Sequence, residues 1–156
     1  MKASRLRLLM NLWPPFACSG IRVQHIADDF SAVRVALHQR WYNRNYVGSH
    51  FGGSLFAMTD PFFMMMLLHQ LGSDYIVWDK AAHIEFVKPG RGTVTADFYL
   101  DADTVASLRA AADRGERVRH WFEVAVHGTD GEVVAKVRKQ LYIRHKRPVD
   151  GAGQPE

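Results

Sequence analysis

Residues 54–71 form an apolar run that is too long and too hydrophobic for a strand, and they predict a buried helix. Asp60 is the single acidic residue among its Leu, Phe and Met side chains, and Gly72 is a suitable residue to end the helix. A helix that is apolar on all sides must be covered on most of its surface. The rest of the chain therefore has to supply a layer that wraps around this helix.

Most of the remaining chain alternates apolar and polar residues with the period of a strand. Such segments occur at residues 21–26, 31–41, 75–87, 93–100, 117–127 and 132–145. Turn signals such as Pro89-Gly90 and Asp130-Gly131 join several of them, and one short helix, at 104–115 with Thr104 as its cap, lies between them. This order predicts an α+β class in which a curved antiparallel sheet wraps around one long central helix.

The length of 156 residues suits a single domain with a sizeable core. We predict one domain over residues 1–146, which begins with a short amphipathic helix within residues 1–14. The last segment, residues 147–156, is expected to be a disordered tail. No internal repeat or low-complexity block divides the chain further.

The N-terminal segment carries three basic residues before an apolar stretch, as a signal peptide does. Asn11 and the Pro14-Pro15 pair interrupt that stretch, and nothing approaches the roughly 20 apolar residues of a membrane span. Cys18 is the only cysteine, so an internal disulfide framework is excluded and a reducing compartment is the simpler assumption. We therefore expect a cytoplasmic protein without a membrane span.

The net charge of +4 is modest, and many of the basic residues lie late, at residues 136–148. Such a run is typical of a solvated strand face and a frayed end, although it could also meet nucleic acid, an anionic membrane or a phosphorylated small molecule. Nucleic acid is not expected as a partner, because the predicted sheet lacks an aromatic stacking motif. The histidines show no metal-ligand spacing and no Gly-rich phosphate loop follows a strand, so neither a metal nor a separate cofactor is expected.

Gly52 and Gly53 stand where the chain enters the predicted helix. Backbone N–H groups at such a position lack partners within the helix and can bind an anion or a developing oxyanion. Asp60 lies seven residues after Gly53, about two helical turns, which returns it to nearly the same face. A carbonyl held by the Gly53 N–H would then have a general base or a nucleophile nearby.

Asp60 also has a purely structural interpretation. The pair Asp60-Pro61 has the form of a helix start, with Asp as the N-cap and Pro at the first helical position. In that case the helix begins at Pro61, and Asp60 only accepts hydrogen bonds from backbone N–H groups. Both interpretations hold together if the helix is kinked at Asp60, and the residues alone leave them open.

The same segment resembles the phenylacetate-degradation type of hotdog acyl-CoA thioesterases. Their motif runs from an Asn through a Gly and a His-Gly-Gly to an Asp seven residues after the second Gly, and Asn45, Gly48, Gly52-Gly53 and Asp60 match it. The likeness covers about residues 21–146 and includes the stretch AAHIEFVKPGRGTVTADFYL. The chain is still more similar to an uncharacterised hotdog subfamily, a domain of unknown function, with the patterns FGG…DP and W-x-K.

The resemblance implies a hotdog fold and an enzyme that hydrolyses an acyl-CoA or a related thioester, with coenzyme A as part of the substrate. Asn45 and the Gly53 N–H would hold the thioester oxygen, and Asp60 would activate water or attack the carbonyl. The resemblance also implies a homodimer or a dimer of dimers. Each site would then lie at an interface, because hotdog sheets pair edge to edge.

The sequence departs from the family motif around the glycines and the acid. Phe51 replaces the His of the motif, His50 stands one residue early, and Pro61 follows the acid. These departures keep two other functions open on the same fold. One is a non-catalytic acyl or acyl-CoA binding protein, which Phe51 and Pro61 favour, and the other is a hydratase or dehydratase that uses His50 with Asp60.

The strand that often supplies a Ser or Thr to the family's site carries Trp78-Asp79-Lys80 instead. Charges in a strand otherwise fit for burial need partners. We therefore expect either a salt bridge from Lys80 to Asp60 or Asp79, or a charged pair that replaces the missing polar groups of the site.

The candidate substrate-binding residues lie around these departures and in the turn that follows the strand. Lys88 and Arg91 flank Pro89-Gly90, in a turn that resembles the place where coenzyme A approaches hotdog dimers. Positive charge there would suit its phosphates, although a solvent-exposed turn is the simpler interpretation. The full set is His50, Phe51, Gly52, Trp78, Asp79, Lys80, Lys88 and Arg91.

Overall fold

A computed structural model describes residues 1–146, so the predicted tail at residues 147–156 lies outside the described residues. The helices of this part of the chain are α1 (Ala3–Leu12), α2 (Pro14–Ala17), α3 (Gly52–Ala57), α4 (Phe62–Leu71) and α5 (Ala102–Asp113). The strands are β1 (Ile21–Ile26), β2 (Ala32–His38), β3 (Tyr75–Phe86), β4 (Thr93–Tyr99), β5 (Val118–His127) and β6 (Val133–His145). Every predicted strand is therefore present.

The strands form one antiparallel sheet in the order β1-β2-β4-β5-β6-β3. The sheet curves around helix α4, in which Phe62, Met66 and Leu67 are completely buried. Phe62 and Phe63 pack against Phe98 of β4, with ring centroids 4.9 and 5.2 Å apart. This is the expected α+β arrangement of a curved sheet around a central helix.

The central helix is broken, whereas the sequence predicted one continuous helix over residues 54–71. Helix α3 ends at Ala57 and α4 begins at Phe62. Pro61 has no N–H to donate to the Ala57 carbonyl, so the helical hydrogen-bond ladder cannot continue through it. The Asp60 N–H donates instead to the Ala57 carbonyl at 3.2 Å, and the turn places Asp60 between the two helices.

The interpretation of Asp60 as a helix cap is wrong. Pro61 occupies the N-cap position of α4, and no side chain accepts a hydrogen bond from the first turn of that helix. The Asp60 carboxylate instead pairs with Lys139 of β6. Helix α5 differs from expectation in a similar way, because Asp101 rather than Thr104 is its cap and accepts a hydrogen bond from the Thr104 N–H at 2.9 Å.

Helix α1 covers one edge of the sheet. The Asn11 side chain donates to the Val23 carbonyl of β1 at 3.0 Å and accepts from the Val23 N–H at 2.8 Å. These bonds satisfy the outward-facing backbone groups of Val23, in an edge strand that would otherwise be free to pair with another chain there. No helix of residues 1–146 combines the length and the apolar character that crossing a membrane requires.

Strand β3 forms the opposite edge and pairs only with β6. Its first residues, including Tyr75 and Val77, are buried, but the segment from Trp78 to Phe86 is largely exposed. The expectation that Lys80 is a buried charge is therefore wrong. An edge strand with exposed apolar residues is a surface on which a second strand can pair.

A candidate active site around Asp60

Three charged side chains meet at the turn between α3 and α4. The Lys139 ammonium of β6 donates a hydrogen bond to Oδ1 of Asp60 at 2.7 Å and lies 3.0 Å from Oδ1 of Asp79 on β3. The Lys139 side chain is only 2% exposed, while those of Asp60 and Asp79 are 58% and 30% exposed. A buried ammonium requires such partners, because an unpaired charge in the interior is strongly unfavourable.

The sequence predicted Lys80 as the partner of these acids, and this prediction is wrong, because Lys139 pairs with both of them. Asp79 pairs in register with Leu141 and Ala81 with Gln140, so a bulge leaves Lys80 out of the ladder. Lys139 was missed because it lies in a basic run that is typical of a solvated face. A signal was present, because Lys139 interrupts the inward-facing, buried series Ala135, Val137, Leu141 and Ile143.

The two carboxylates have different surroundings. Burial raises the pKa of Asp79, and the nearby Asp60 charge raises it further, whereas the hydrogen bond and charge of Lys139 act in the opposite direction. Asp60 is the more solvated of the two acids. The cluster therefore holds one partly buried acid, Asp79, and one more exposed acid, Asp60, that solvent or a ligand can reach.

A groove with a volume of about 370 Å³ brings Asp60 and Gly53 together. We call this surface the Asp60 groove; its lining residues are Trp13, Pro15, Phe16, Gly53, Phe56, Ala57, Asp60 and Pro61. The N–H groups of Gly52 and Gly53, at the start of α3, have no acceptor within residues 1–146. Gly53, with this free N–H, and Asp60 thus line one groove, although the continuous helix on which the sequence prediction relied is broken before Asp60.

The Phe51 ring packs closely against Gly53 at this end of the groove. It is about half exposed, and a methyl group added to Gly53 would overlap it. Gly52 is similarly close to Phe86 of β3, since an added Cβ would lie 2.9 Å from that ring. A side chain at either position would therefore displace an aromatic ring.

A second cavity, of about 400 Å³, lies on the other side of the loop that precedes α3. We call it the His50 cavity, and its lining residues are Asn45, Ser49, His50, Gly52, Leu55, Phe86, Val87, Lys88, Pro89 and Gly90. The predicted site residues are therefore divided within one protomer. Asp60 and Gly53 line the Asp60 groove, whereas Asn45, His50, Gly52 and Lys88 line the His50 cavity.

His50 is buried and held in one tautomer. Its Nε2 lies 2.9 Å from the Gly92 carbonyl, which can only accept, so Nε2 carries the proton and donates. The Nδ1 atom is buried without a hydrogen-bond partner in the part of the chain that the structure describes. Burial lowers the pKa of His50, so this imidazole is neutral at neutral pH.

Asn45 uses its side chain to hold the loop. Its Nδ2 donates to Ser49 Oγ at 2.8 Å and to the His50 carbonyl at 3.2 Å, and its Oδ1 accepts from the Ser49 N–H at 2.9 Å. Both amide hydrogens are thus engaged within the loop. This geometry does not support the predicted contact between Asn45 and a thioester oxygen.

The two cations expected near coenzyme A phosphates also have partners in the chain. The Lys88 ammonium pairs with Asp130 at 3.4 Å and with Glu132, both in the turn between β5 and β6. Arg91 donates to the Gly48 carbonyl at 3.3 Å. Lys88 is therefore already neutralised by acids, while Arg91 bonds to a neutral carbonyl.

Trp78 and Lys80 lie on the exposed part of β3, outside both the Asp60 groove and the His50 cavity. The Trp78 ring stacks on Tyr142 of β6, with centroids 4.8 Å apart. Within residues 1–146 no group of three or more His, Cys, Asp or Glu side chains is arranged to hold a metal ion.

Several solved structures share this fold at low sequence identity. A protein of unknown function and probable thioesterase from Pseudomonas aeruginosa is 21% identical, with a TM-score of 0.82 over 93% of this chain and 97% of that one. A thioesterase from Haemophilus influenzae is 12% identical, with a TM-score of 0.68 over 97% and 96% of the two chains. The E. coli PaaI protein, from the phenylacetic acid degradation operon, is 18% identical, with a TM-score of 0.62 over 94% and 91%.

These likenesses confirm that the chain has a hotdog fold of the kind found in PaaI-type thioesterases. Residues 2–143 match the family described as a domain of unknown function, DUF4442, and the chain therefore belongs to that family. A search among curated proteins finds no match.

The Lys139 cluster predicts non-additive effects on stability. At neutral pH we expect D60N and D79N each to change the free energy of unfolding by about 1 kcal/mol or less, because the remaining carboxylate still pairs with Lys139. The double variant should lose about 3 kcal/mol or more, because it leaves a buried ammonium without a counter-charge. Urea unfolding followed by tryptophan fluorescence measures the three values.

The matched control for this cycle is the triple variant D60N/D79N/K139M, which removes the ammonium as well. It should recover most of the stability that the double variant loses, because no buried charge remains. Additivity of the two single changes to within about 0.5 kcal/mol would contradict the shared ion pair.

His50 predicts a dependence of stability on pH. Its folded pKa lies below the ordinary value of 6.5, so the unfolded state binds a proton more readily than the folded state. The free energy of unfolding therefore has its full value above that pH and decreases as the pH falls toward the folded pKa. H50Q keeps an N–H donor for the Gly92 carbonyl and does not titrate. From about pH 7.5 to about pH 5, the wild type should therefore lose more stability than H50Q.

Urea unfolding at several pH values measures this difference, with H25Q, at an exposed histidine of β1, as the control. Parallel pH profiles for the wild type and H50Q would mean that His50 is not held neutral by burial.

Proposed function

We propose that the protein hydrolyses the thioester of an acyl-CoA. The observation that carries the proposal is the Asp60 groove, in which a solvent-accessible carboxylate and the free N–H of Gly53 face one space. Structural neighbours described as a probable thioesterase and as a thioesterase lend support to the reaction class. The acyl chain is not part of the proposal, because no residue of the groove selects one.

The chemistry requires a base or nucleophile and a donor to the carbonyl oxygen. In the general-base route, Asp60 takes a proton from water while the water oxygen bonds to the thioester carbon; the C–S bond then breaks, and coenzyme A leaves as the thiol with that proton. In the nucleophilic route, an Asp60 oxygen bonds to the thioester carbon, the C–S bond breaks and coenzyme A leaves as the thiolate; water then hydrolyses the mixed anhydride, which frees the carboxylic acid and the Asp60 carboxylate and supplies the proton that the thiolate takes up. In both routes the carbonyl oxygen gains negative charge, and the Gly53 N–H would donate to it.

We further propose a homodimer that pairs two β3 strands. Asp79, in the Lys139 cluster, and Phe86, in the His50 cavity, stand about 23 Å apart on this exposed edge strand. A twofold axis near Ala82 and His83 would exchange these two ends of the strand. The Asp60 groove of one protomer would then adjoin the His50 cavity of its partner, and the two would form one larger substrate site.

A non-catalytic acyl-CoA binding protein is the second candidate. It is favoured by Phe51, which stands where the related enzymes carry a His and whose ring packs against Gly53. A hydratase that uses His50 with Asp60 is less well supported, because the neutral, buried imidazole and the acid line different cavities within the protomer.

The proposed hydrolysis predicts release of free thiol from acyl-CoAs. We expect turnover with at least one member of a panel of short, long and aromatic acyl-CoAs, followed with a thiol reagent. D60N should lower kcat by about 100-fold or more, because the amide can neither accept a proton from water nor attack the carbonyl. The matched control is D103N, at an exposed acid in the first turn of α5.

The outcomes separate the two candidates. Turnover that D60N abolishes and D103N preserves supports the thioesterase. Saturable acyl-CoA binding without any thiol release, measured by calorimetry, would favour the binding protein instead. Turnover that persists in folded D60N would place the chemistry elsewhere in the molecule.

The proposed dimer predicts protection of β3 at high protein concentration. Sedimentation should give about twice the protomer mass of 17.7 kDa. Hydrogen exchange of β3 amides that do not bond to β6 should be slow in the dimer and fast after dilution, because dilution frees the strand edge. Amides of β1 serve as the control, since Asn11 of the same protomer covers that edge. A monomer with fast exchange in β3 at all concentrations would contradict the dimer.

A further inference from the structure

Lys139 occupies a position where an apolar residue would be expected. It lies on the inner face of β6 between Val137 and Leu141, both of which are buried, and its ammonium is 5.7 Å from the centre of the Phe56 ring. Removing a charge from water is unfavourable, and a buried ion pair is often no more stabilising than a well-packed apolar group of similar size. Stability alone therefore does not explain a lysine here.

The geometry around Asp60 suggests what the ammonium does. Asp60 lies in the turn between two helices, where its half-exposed side chain has few neighbours to restrict its rotation. Lys139 binds Oδ1 at 2.7 Å, and within residues 1–146 no hydrogen bond occupies Oδ2. One oxygen is thus anchored from below, and the other is left for water or for a carbonyl carbon in the Asp60 groove.

Asp79 fixes the ammonium from the opposite side. Its Oδ1 lies 3.0 Å from Nζ, and it comes from β3, which pairs with β6 immediately beside Lys139. The hydrogen bond to Asp60 is charge-assisted and therefore short and directional, and the ion pair with Asp79 restricts the ammonium further. Asp79 also supplies a second negative charge beside the buried ammonium.

We propose that Lys139 is a positioning residue that holds the Asp60 carboxylate in a reactive orientation, and that Asp79 orients the Lys139 ammonium. The kinetic part of this inference rests on the proposed hydrolysis, whereas the contact itself does not. Lys139 acts through Asp60 and touches no substrate, because its side chain is buried beneath the groove.

The contact is tested without any substrate. In protein labelled with ¹⁵N and ¹³C, the Lys139 NH₃⁺ signal should be observable at low temperature, since burial and hydrogen bonding slow its exchange with water. We expect a scalar correlation from Lys139 Nζ to the carboxyl carbon of Asp60. This correlation should disappear in D60N, while the ammonium signal should remain observable because Asp79 still pairs with it. A Lys139 ammonium that exchanges as fast as surface lysines, with no such correlation, would overturn the proposal.

The consequence is tested with K139M, which keeps the length of the apolar stem and removes the charge. On whichever acyl-CoA the wild type hydrolyses, kcat should fall about 10- to 100-fold, because a small displacement of a reacting group is sufficient for such losses. KM should change by less than about threefold, since substrate contacts remain. K139R, which keeps a cation, should retain more of kcat than K139M, and K136M, at an exposed lysine of the same strand, is the matched control.

A double variant distinguishes positioning from general damage to the fold. Because Lys139 acts through Asp60, D60N/K139M should be no slower than D60N alone. Independent, multiplicative losses would overturn the positioning role, as would a kcat for folded K139M equal to that of K136M. Thermal unfolding of each variant checks that it is folded at the assay temperature.

The two parts fail in different ways. If the wild type hydrolyses no thioester, the proposed function fails, while the NMR correlation still decides whether Lys139 holds Asp60. If hydrolysis depends on Asp60 but not on Lys139, the proposed function stands and the positioning inference is wrong.

Discussion

The burial of helix α4 governs the rest of this structure. Its Phe, Met and Leu side chains leave almost no polar face, so the sheet has to curve around it to remove them from water. A curved open sheet has two edges. Helix α1 covers β1 through Asn11, whereas β3 has no neighbour on its outer side within residues 1–146. The architecture thus leaves one edge for pairing and one turn, at Pro61, where polar groups can leave the core.

That turn allows a carboxylate to stand beside an apolar core without being buried in it. Pro61 interrupts the helical ladder, and Asp60 therefore turns toward the groove instead of continuing on a helix face. Lys139 reaches it from the sheet below. The cluster contains two acids and one ammonium. Burial raises the pKa of Asp79, and the nearby Asp60 charge raises it further. Two acids that share one ammonium are thus adapted to different roles, with one as an anchor and the other exposed to a ligand.

The candidate site residues are divided between two cavities, and pairing of strand β3 is what would bring those cavities together. Within a protomer, the acid and the free Gly53 N–H face one groove, while the buried His50 lies in another cavity with Phe86. Each cavity thus holds only part of the set of candidate polar groups. Edge pairing of β3 would join them, so assembly and chemistry would depend on the same strand.

Much of the fold could be read from local patterns, because the direction of each side chain follows from the period of its own segment. The apolar run at residues 54–71, the alternating segments and the turn glycines predicted the antiparallel α+β arrangement. Gly53 and Asp60 do line one groove, but the prediction assumed a continuous helix that the structure breaks between them. Pro61 also gave a local warning that the helix would break. These features depend on neighbours only a few residues apart.

The partner of Asp60 was decided only by the tertiary structure. Lys139 lies 79 residues further along the chain, and its position beside Asp60 and Asp79 depends on the register of β6 against β3 and on the bulge that excludes Lys80. A shift of one residue in that register would turn Lys139 to the other face of the sheet. The sequence by itself determined which residues could carry charge and which faces were apolar. Only the packed sheet decided which charges meet, because an ion pair depends on a distance in space that no local pattern contains.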